Sequence, residues 1–338
     1  MLAFVVRRLL TGLIVILGVV AVTFVVARVL PTTPERLYAG ARATPEQLER
    51  ARKELGLDKP LYQQLVDYVG NVFQGDLGES LVTKRSVLSD IWVSLPATLE
   101  LILLAEIIAL GIGLPMGVLS ARYQDRLLDH TTRVVAVGLA SMPVFWSALL
   151  LQYIFFQQLR LLPFGGVMSD EFMVLYTVPD VTRFPLIDAV ISGQWVVVQD
   201  QLLHLILPAT VLSLFILASV MRLTRTAMIE ILHEDYITAA RSYGHSERSV
   251  LWKYALKNSL GPTAVIVAVL TGQLITSTFI IESIFAWPGI GSYITNAAAS
   301  VDFPAILGVT IVAAIVIVIL NMVADMIVAL DPRVRLGA

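Results

Sequence analysis

The sequence predicts an all-α integral membrane protein with six transmembrane helices, on three observations. Of its 338 residues, 57% are apolar and only 15% are charged, and mean hydropathy is +0.79. A soluble domain of this length would need far more polar residues to meet water. Apolar runs of about 20 residues, the length that crosses hydrocarbon, recur six times. These runs carry no dominant 3.6-residue stripe, as expected of helices wetted by lipid and by one another. Strands with open edges would leave backbone groups unpaired in lipid, so the spans are helices.

The runs fall near Leu9–Val29, Leu95–Leu119, Val134–Phe156, Leu202–Leu223, Pro262–Ile281 and Ala305–Leu330. The first follows Arg7 and Arg8, as a secretory signal peptide would. It exceeds the usual apolar core of about 7–15 residues, and Arg28 interrupts its far end, so an uncleaved first helix is expected. In the segment that follows, Thr44-Pro45-Glu46-Gln47 is a capping-box start with proline at the first helical position. Leu48, Ala51 and Leu55 then share a face before Gly56. Leu61, Leu65, Tyr68, Val69, Val72 and Phe73 form a second stripe, ended by Gly75. A second large connection, 158–201, is rich in Pro, Gly and aromatic residues. With no linker, low-complexity tract or repeat in view, residues 1–338 are expected to form a single membrane domain.

Orientation follows from Lys and Arg in the short loops. With the N-terminus inside, the inner segments hold Arg7, Arg8, Arg122, Arg126, Arg133, Arg222, Arg225, Arg241, Arg248, Lys253, Lys257, Arg333 and Arg335. The outer connection after the third run holds only Arg160 and Arg183, and the one after the fifth holds none. Segment 31–94 carries eight Lys and Arg, but long translocated segments largely escape this rule. Both termini are therefore expected in the cytoplasm.

Composition also excludes function classes. Zero cysteines rule out disulfides and thiolate metal sites, and the four His lack metal-ligand spacing. Net charge of −2, with no basic tract carrying interleaved aromatics, gives no reason to expect nucleic acid. Ser213 and His204 lie nine residues apart on one helix face, about 13 Å apart along the axis, which is no activated nucleophile–base pair. A secondary transporter would show inverted repeats and broken helices around midplane charges, and none is visible.

The inner stretch of about 224–261, between the fourth and fifth runs, is long and patterned. Tyr236, Ile237 and Ala240 can share a helical face, and Gly244 supplies a positive-φ stop. Ser246 can cap a second helix from Glu247 to Asn258, with Val250, Leu251, Tyr254 and Ala255 on one side. The result is a compact knob below the membrane.

This stretch resembles the coupling loop of ABC importer permeases. The family's Glu-Ala-Ala, three residues, then Gly corresponds to Thr238-Ala239-Ala240, three residues, then Gly244, with Thr238 departing from Glu. Ala255-Leu256-Lys257-Asn258-Ser259-Leu260-Gly261-Pro262 is similar to the continuation of that loop in the peptide and nickel subfamily. Leu55-Gly56-Leu57-Asp58-Lys59-Pro60-Leu61, Gly75-Asp76-Leu77-Gly78-Glu79-Ser80 and Leu95-Pro96-Ala97-Thr98-Leu99-Glu100 resemble the B-type subunit of dipeptide and oligopeptide permeases. So do Glu282 to Gly291, Asp302-Phe303-Pro304 and Leu330 to Arg335, whereas Pro31-Thr32-Thr33-Pro34 replaces the family's Pro-Gly-Asp-Pro.

The resemblance implies an ABC importer type I permease fold with two large extracytoplasmic helical connections, in a bacterial cytoplasmic membrane. It implies a C-type permease, two cytoplasmic ATPase subunits and an extracytoplasmic peptide-binding protein as partners. ATP and Mg would be held by the ATPases, since these residues contain no Gly-rich phosphate loop ending in Lys-Ser/Thr. Cargo would be di- or oligopeptides, with nickel or haem as the alternative. Contact with the ATPase would fall to Asp235, Tyr236, Thr238, Ala239, Ala240, Arg241 and Gly244.

Ionisable residues inside the runs are candidates for the pore or gate. Glu106 sits near the middle of the second run, either lining the pore or hydrogen-bonded against a neighbouring helix. Glu100 is expected to tune the outer end or to bond Ser94 or Thr98. Asn321 and Asp325, a turn apart, could face the bundle interior, with packing preferred over substrate contact. Glu282 followed by Trp287-Pro288-Gly289 is the expected gate-shaping element, unless Trp287 is an ordinary interfacial aromatic.

Overall fold

The structure is a computed structural model that describes residues 2–29, 34–40, 43–54 and 56–330. The strings at 31–33 and 331–335 and the predicted contact of Leu55 lie outside the described residues. Among the described residues the chain is helical, with a lone antiparallel bridge between Glu79 and Ser86. Its helices are α1 (Leu2–Val29), α2 (Pro34–Ala39), α3 (Pro45–Glu54), α4 (Leu61–Phe73), α5 (Val87–Arg122), α6 (Leu127–Ser141), α7 (Val144–Gln152), α8 (Asp170–Leu175), α9 (Pro185–Ile191), α10 (Trp195–Leu232), α11 (Asp235–Ser242), α12 (Glu247–Ser249), α13 (Leu256–Ile284), α14 (Ile290–Ala299) and α15 (Phe303–Leu330). Wide π turns, Tyr153–Gln158 and Val250–Ala255, extend α7 and join α12 to α13. Five of these helices are long and apolar enough to cross a membrane, and the bent pair α6–α7 makes a sixth span.

That bent pair departs from the uninterrupted third span expected over 134–156. Leu127–Ser141 and Val144–Gln158 meet at 104°. Pro143 explains the break, because its ring disfavours helical backbone at the residue before it, and Met142 is extended at ψ 126. The fifth span differs in the opposite sense. The helix expected to end at Asn258 runs on without interruption, so α12, the π turn and α13 form one rod.

The chain divides into two compact units. The first comprises residues 1–95 and 293–318. In it the capping box forms as expected: Thr44 N donates to Gln47 Oε1 at 2.8 Å and Gln47 N to Thr44 Oγ1 at 3.4 Å. The expected stripe on α4 holds at Leu65, Tyr68, Val69 and Val72, half-buried beside buried Gln64, whose amide donates to Lys59 O, while Leu61 and Phe73 at its ends are exposed. Tyr68 stacks on Phe24 of α1 at 5.9 Å. Two strings that carried the resemblance meet here: Ser80 Oγ donates to buried Asp302 Oδ2 at 2.5 Å, and a Cβ on Gly78 would lie 3.6 Å from Pro304. Asp90 accepts from Thr83 Oγ1 at 2.5 Å and pairs with Arg85 at 2.8 Å.

The second unit comprises residues 96–292 and 319–338. Its centre is α10, which packs on α6, α7, α9 and α13. Of the most apolar stretch of α10, 72% is buried, against 17% for α1, so α10 organises the unit. At 38 residues it extends about 57 Å, well beyond a hydrocarbon layer of about 30 Å, so its ends project.

One ion pair ties the helices of this unit together. Asp129, fully buried at the start of α6, receives Arg225 Nε at 2.5 Å and Nη2 at 2.8 Å from α10. Ser120 Oγ of α5 donates to it at 2.6 Å and the Asp125 amide at 3.0 Å. Asp129→Asn should destabilise the purified protein by about 3 kcal/mol, because it strands a guanidinium that is largely buried. Replacing both partners, as Asp129→Leu with Arg225→Met, should recover most of that loss. Thermal unfolding of the three proteins checks both statements.

Candidate functional site

The first site element is the knob after α10. Glu234 is extended and Asp235 sits in the first turn of α11, where a carboxylate complements the helix dipole. Gly244, at φ +80°, closes the helix. His245 N donates to Ala240 O at 3.3 Å and Gly244 N to Arg241 O at 3.0 Å, the paired bonds of a Schellman stop. Ser246 caps the next helix as expected, accepting from Ser249 N at 3.4 Å. Arg241 Nε pairs with Glu247 at 2.9 Å across the turn.

The knob is anchored by its inner face. Ile237 and Ala240 pack with Val250, Leu251 and Ala255, with Val118 and Ala121 of α5, and with Met228 and Ile231 of α10. Ala240 is therefore part of the chain's own core and not of the outer contact face expected from the sequence. Asp235, Tyr236, Thr238, Ala239, Arg241 and Gly244 are exposed, so Tyr236 leaves the face it was expected to share with Ile237. Its hydroxyl instead accepts from Asn258 Nδ2 at 3.0 Å.

The second element is a knot around Glu282, which is completely buried at the end of α13. Thr98 Oγ1 of α5 donates to Oε1 at 2.7 Å, and Ser292 N donates to Oε2 at 3.0 Å. Thr98 Oγ1 in turn accepts from Ile290 N at 2.8 Å. Carboxylate and hydroxyl together satisfy backbone donors at the start of α14, which a helix cannot pair internally. Gly289 and Gly291 permit this approach: a Cβ at either would collide with the Glu282 carboxyl group. Trp287 is not an interfacial aromatic. It is buried, and its indole Nε1 donates to Ala97 O at 2.9 Å. Two more of the strings quoted above, 95–100 and 282–291, are thus packing partners.

The other candidates separate. Glu100 bonds neither Ser94 nor Thr98; it is buried and its Oε1 accepts from Leu186 N at 3.0 Å, fastening α9. Nearby Asp188 is buried, which alone would raise its pKa, but donors from Thr182 and Arg183 prevail and hold it below the usual carboxylate range. Glu106 receives the Thr271 hydroxyl from α13. It lines a groove of about 400 Å³ whose other walls include Leu110, Leu114, Val267 and Leu320. Asn321 is exposed on α15 and Asp325 half-buried. Ser213 and His204 engage carbonyls of their own helix, Thr210 O at 2.7 Å and Asp200 O at 2.8 Å, and not each other.

Sequence reasoning missed Thr98 as the partner of Glu282, and Arg225 with Ser120 as partners of Asp129. A signal for the first existed, since Thr98 lies within one of the quoted strings. Nothing local marks the second. Glu282→Gln keeps one acceptor oxygen where two are used, so either the Thr98 hydroxyl or Ser292 N loses its acceptor, at a cost of about 1–3 kcal/mol. Gly289→Ala should be more disruptive, because a Cβ there meets both the Thr98 hydroxyl and the Glu282 carboxyl, and both must shift. Unfolding midpoints of the purified complex should rank wild type above Glu282→Gln above Gly289→Ala.

Comparison with known proteins agrees with this architecture. Residues 113–336 match the family described as binding-protein-dependent transport system inner membrane component, and residues 1–102 match its N-terminal companion. A probable D,D-dipeptide transport system permease protein of Escherichia coli K12 is 40% identical over 96% of this chain and 95% of its own length. A di/tripeptide transport system permease protein of Pseudomonas aeruginosa is 39% identical over 99% of both. An oligopeptide transport system permease protein of Bacillus subtilis 168 is 34% identical over 99% of this chain and all of its own. The chain is a multi-pass inner-membrane permease of the binding-protein-dependent transport family.

Proposed function

We propose that this chain forms one half of the translocation pathway of an ATP-driven importer of di- or oligopeptides. The observation that carries this reading is the knob. Its inner face is locked into α5, α10 and the rod leading into α13, while its outer face is free. A force on α11 is transmitted to the spans because a close-packed core resists deformation. In this reading two cytoplasmic ATPases seat α11, a second permease completes the pathway and an extracytoplasmic binding protein delivers cargo. The chain itself is non-catalytic and holds no cofactor, with ATP and Mg on the ATPases and both termini in the cytoplasm. Near-full-length identity to permeases named for peptides favours peptides over nickel or haem.

The pathway side of the reading rests on a contrast between carboxylates. Glu282 is saturated by protein donors, whereas Glu106 has one hydroxyl and an adjoining groove. An ionisable group in an apolar wall with acceptor capacity to spare is a functional position by default. A loose, sparsely polar pathway also suits release of cargo already selected by the binding protein.

Gly244 provides a graded test. A Cβ there meets nothing within 4 Å, so substitution acts only through the backbone at φ +80°. Gly244→Asn, which tolerates this region, should retain most peptide uptake by the reconstituted complex. Gly244→Val, at a strain of about 1–3 kcal/mol, should lose uptake and co-purify less ATPase. Equal uptake by both would reduce Gly244 to a surface turn. Topology is tested with an impermeant thiol reagent on single-cysteine variants. Ala43→Cys and Asp180→Cys should label in spheroplasts, and His245→Cys only after lysis.

A further inference from the structure

Between α6 and α10 lies a cavity of about 160 Å³ that neither the knob nor the Glu282 knot uses. Its composition is graded. One end is formed by Arg133, Arg222 and Arg225, the other by Ala140 and Ala218, with Ala136 and Val137 between. Asp129 of α6 contacts Arg225 of α10, yet the same cavity reaches Ala140 and Ala218. The two helices must therefore run antiparallel, and the slot extends about 10 Å from Arg133 to Ala140.

The charged end carries an excess of cations. Arg225 is neutralised by Asp129. Arg133 Nη2 donates to His130 Nδ1 at 2.7 Å and reaches Asp129 only at 3.6 Å and Asp125 at 3.8 Å, so no carboxylate pairs with it closely, and its side chain is 44% exposed. Arg222 is exposed, with no carboxylate partner among the described residues. Arg122 and Arg126 flank Tyr123 in the turn before α6 and add to the positive field. The hydroxyls at this rim are spent, since Thr132 donates to Leu128 O and Thr226 to Arg222 O. An anion here would be held by guanidinium groups.

We propose that this cavity binds an anionic phospholipid, with its phosphate on Arg222 and Arg133 and one acyl chain along Val137, Ala136 and Ala140. A molecule with an anionic end joined to a hydrocarbon end matches the gradient of the slot. A free anion would fill only the arginine end and leave the alanine end empty. The cations stand at the end of the spans that charge asymmetry assigns to the cytoplasm, where basic residues attract anionic headgroups. The slot is small, so it holds part of one chain while the rest of the lipid stays in the bilayer.

The test uses the assembled transporter in nanodiscs of phosphatidylcholine doped with phosphatidylglycerol, then native mass spectrometry after transfer to detergent. Phosphatidylglycerol should be retained selectively. Arg222→Gln should reduce retention by about fivefold, the loss expected for one basic contact to an anionic headgroup, and Arg222→Lys should restore most of it. Arg222 is exposed and outside the core, so these variants should fold, which unfolding midpoints verify. Ala140→Trp should also reduce retention by filling the apolar end with every charge in place. Equal retention of both lipids, or indifference to Arg222→Gln, would overturn the proposal. So would displacement of the lipid by millimolar inorganic phosphate together with indifference to Ala140→Trp, which would describe a simple anion site. These readouts do not depend on peptide transport, so failure here leaves the importer reading intact, and failure of peptide uptake leaves the lipid result standing.

Discussion

A carboxylate withdrawn from water must be met by protein donors, and the way Glu282 is met fixes the end of α13 against α5. Its oxygens take one hydroxyl from α5 and a backbone donor from the start of α14, and Thr98 supplies a further acceptor to the same turn. The helix end, the turn and the neighbouring span are thereby fixed together. Because the carboxylate occupies the space beside the turn, positions 289 and 291 admit only glycine. Trp287 fills the other side of the turn and spends its single donor on Ala97. The run from Glu282 to Gly291, bonded to Ala97 and Thr98, is one connected solution to burying a charge-capable group.

The same rule of polar satisfaction separates structural from available groups elsewhere. Asp129 is saturated by a guanidinium, a hydroxyl and an amide, and Asp302 by Ser80 with support from Val82 N. These carboxylates hold helices in place. Glu106, Arg222 and the outer face of α11 are left with capacity facing outward from the core.

Mechanical continuity comes from apolar packing. Buried residues from α5, α10, α11 and the π turn share one cluster, and the rod from α12 through α13 leads from that cluster to Glu282. The knob and the knot are thus opposite ends of one continuous helix. Displacement of the first has a rigid path to the second within the same unit.

The sequence by itself determined what depends on neighbours in the chain. Five of the six apolar runs, the capping box at Thr44, the positive-φ stop at Gly244 and the Ser246 cap all follow from local spacing and local backbone chemistry, and each forms. The break at Pro143 was also local, but the apolar run around it masked the signal. What only the tertiary structure decided is which side chains meet. Thr98 and Glu282 stand 184 positions apart, and Asp129 and Arg225 stand 96 apart. Within apolar helices that lack a polar face, periodicity does not say which side looks inward. The interfacial alternative for Trp287 was therefore left open, Glu100 was given the wrong partners, and Ala240 was assigned to an outer surface. Burial of these groups is settled by long-range packing, where the cost of an unsatisfied donor or acceptor selects the partner.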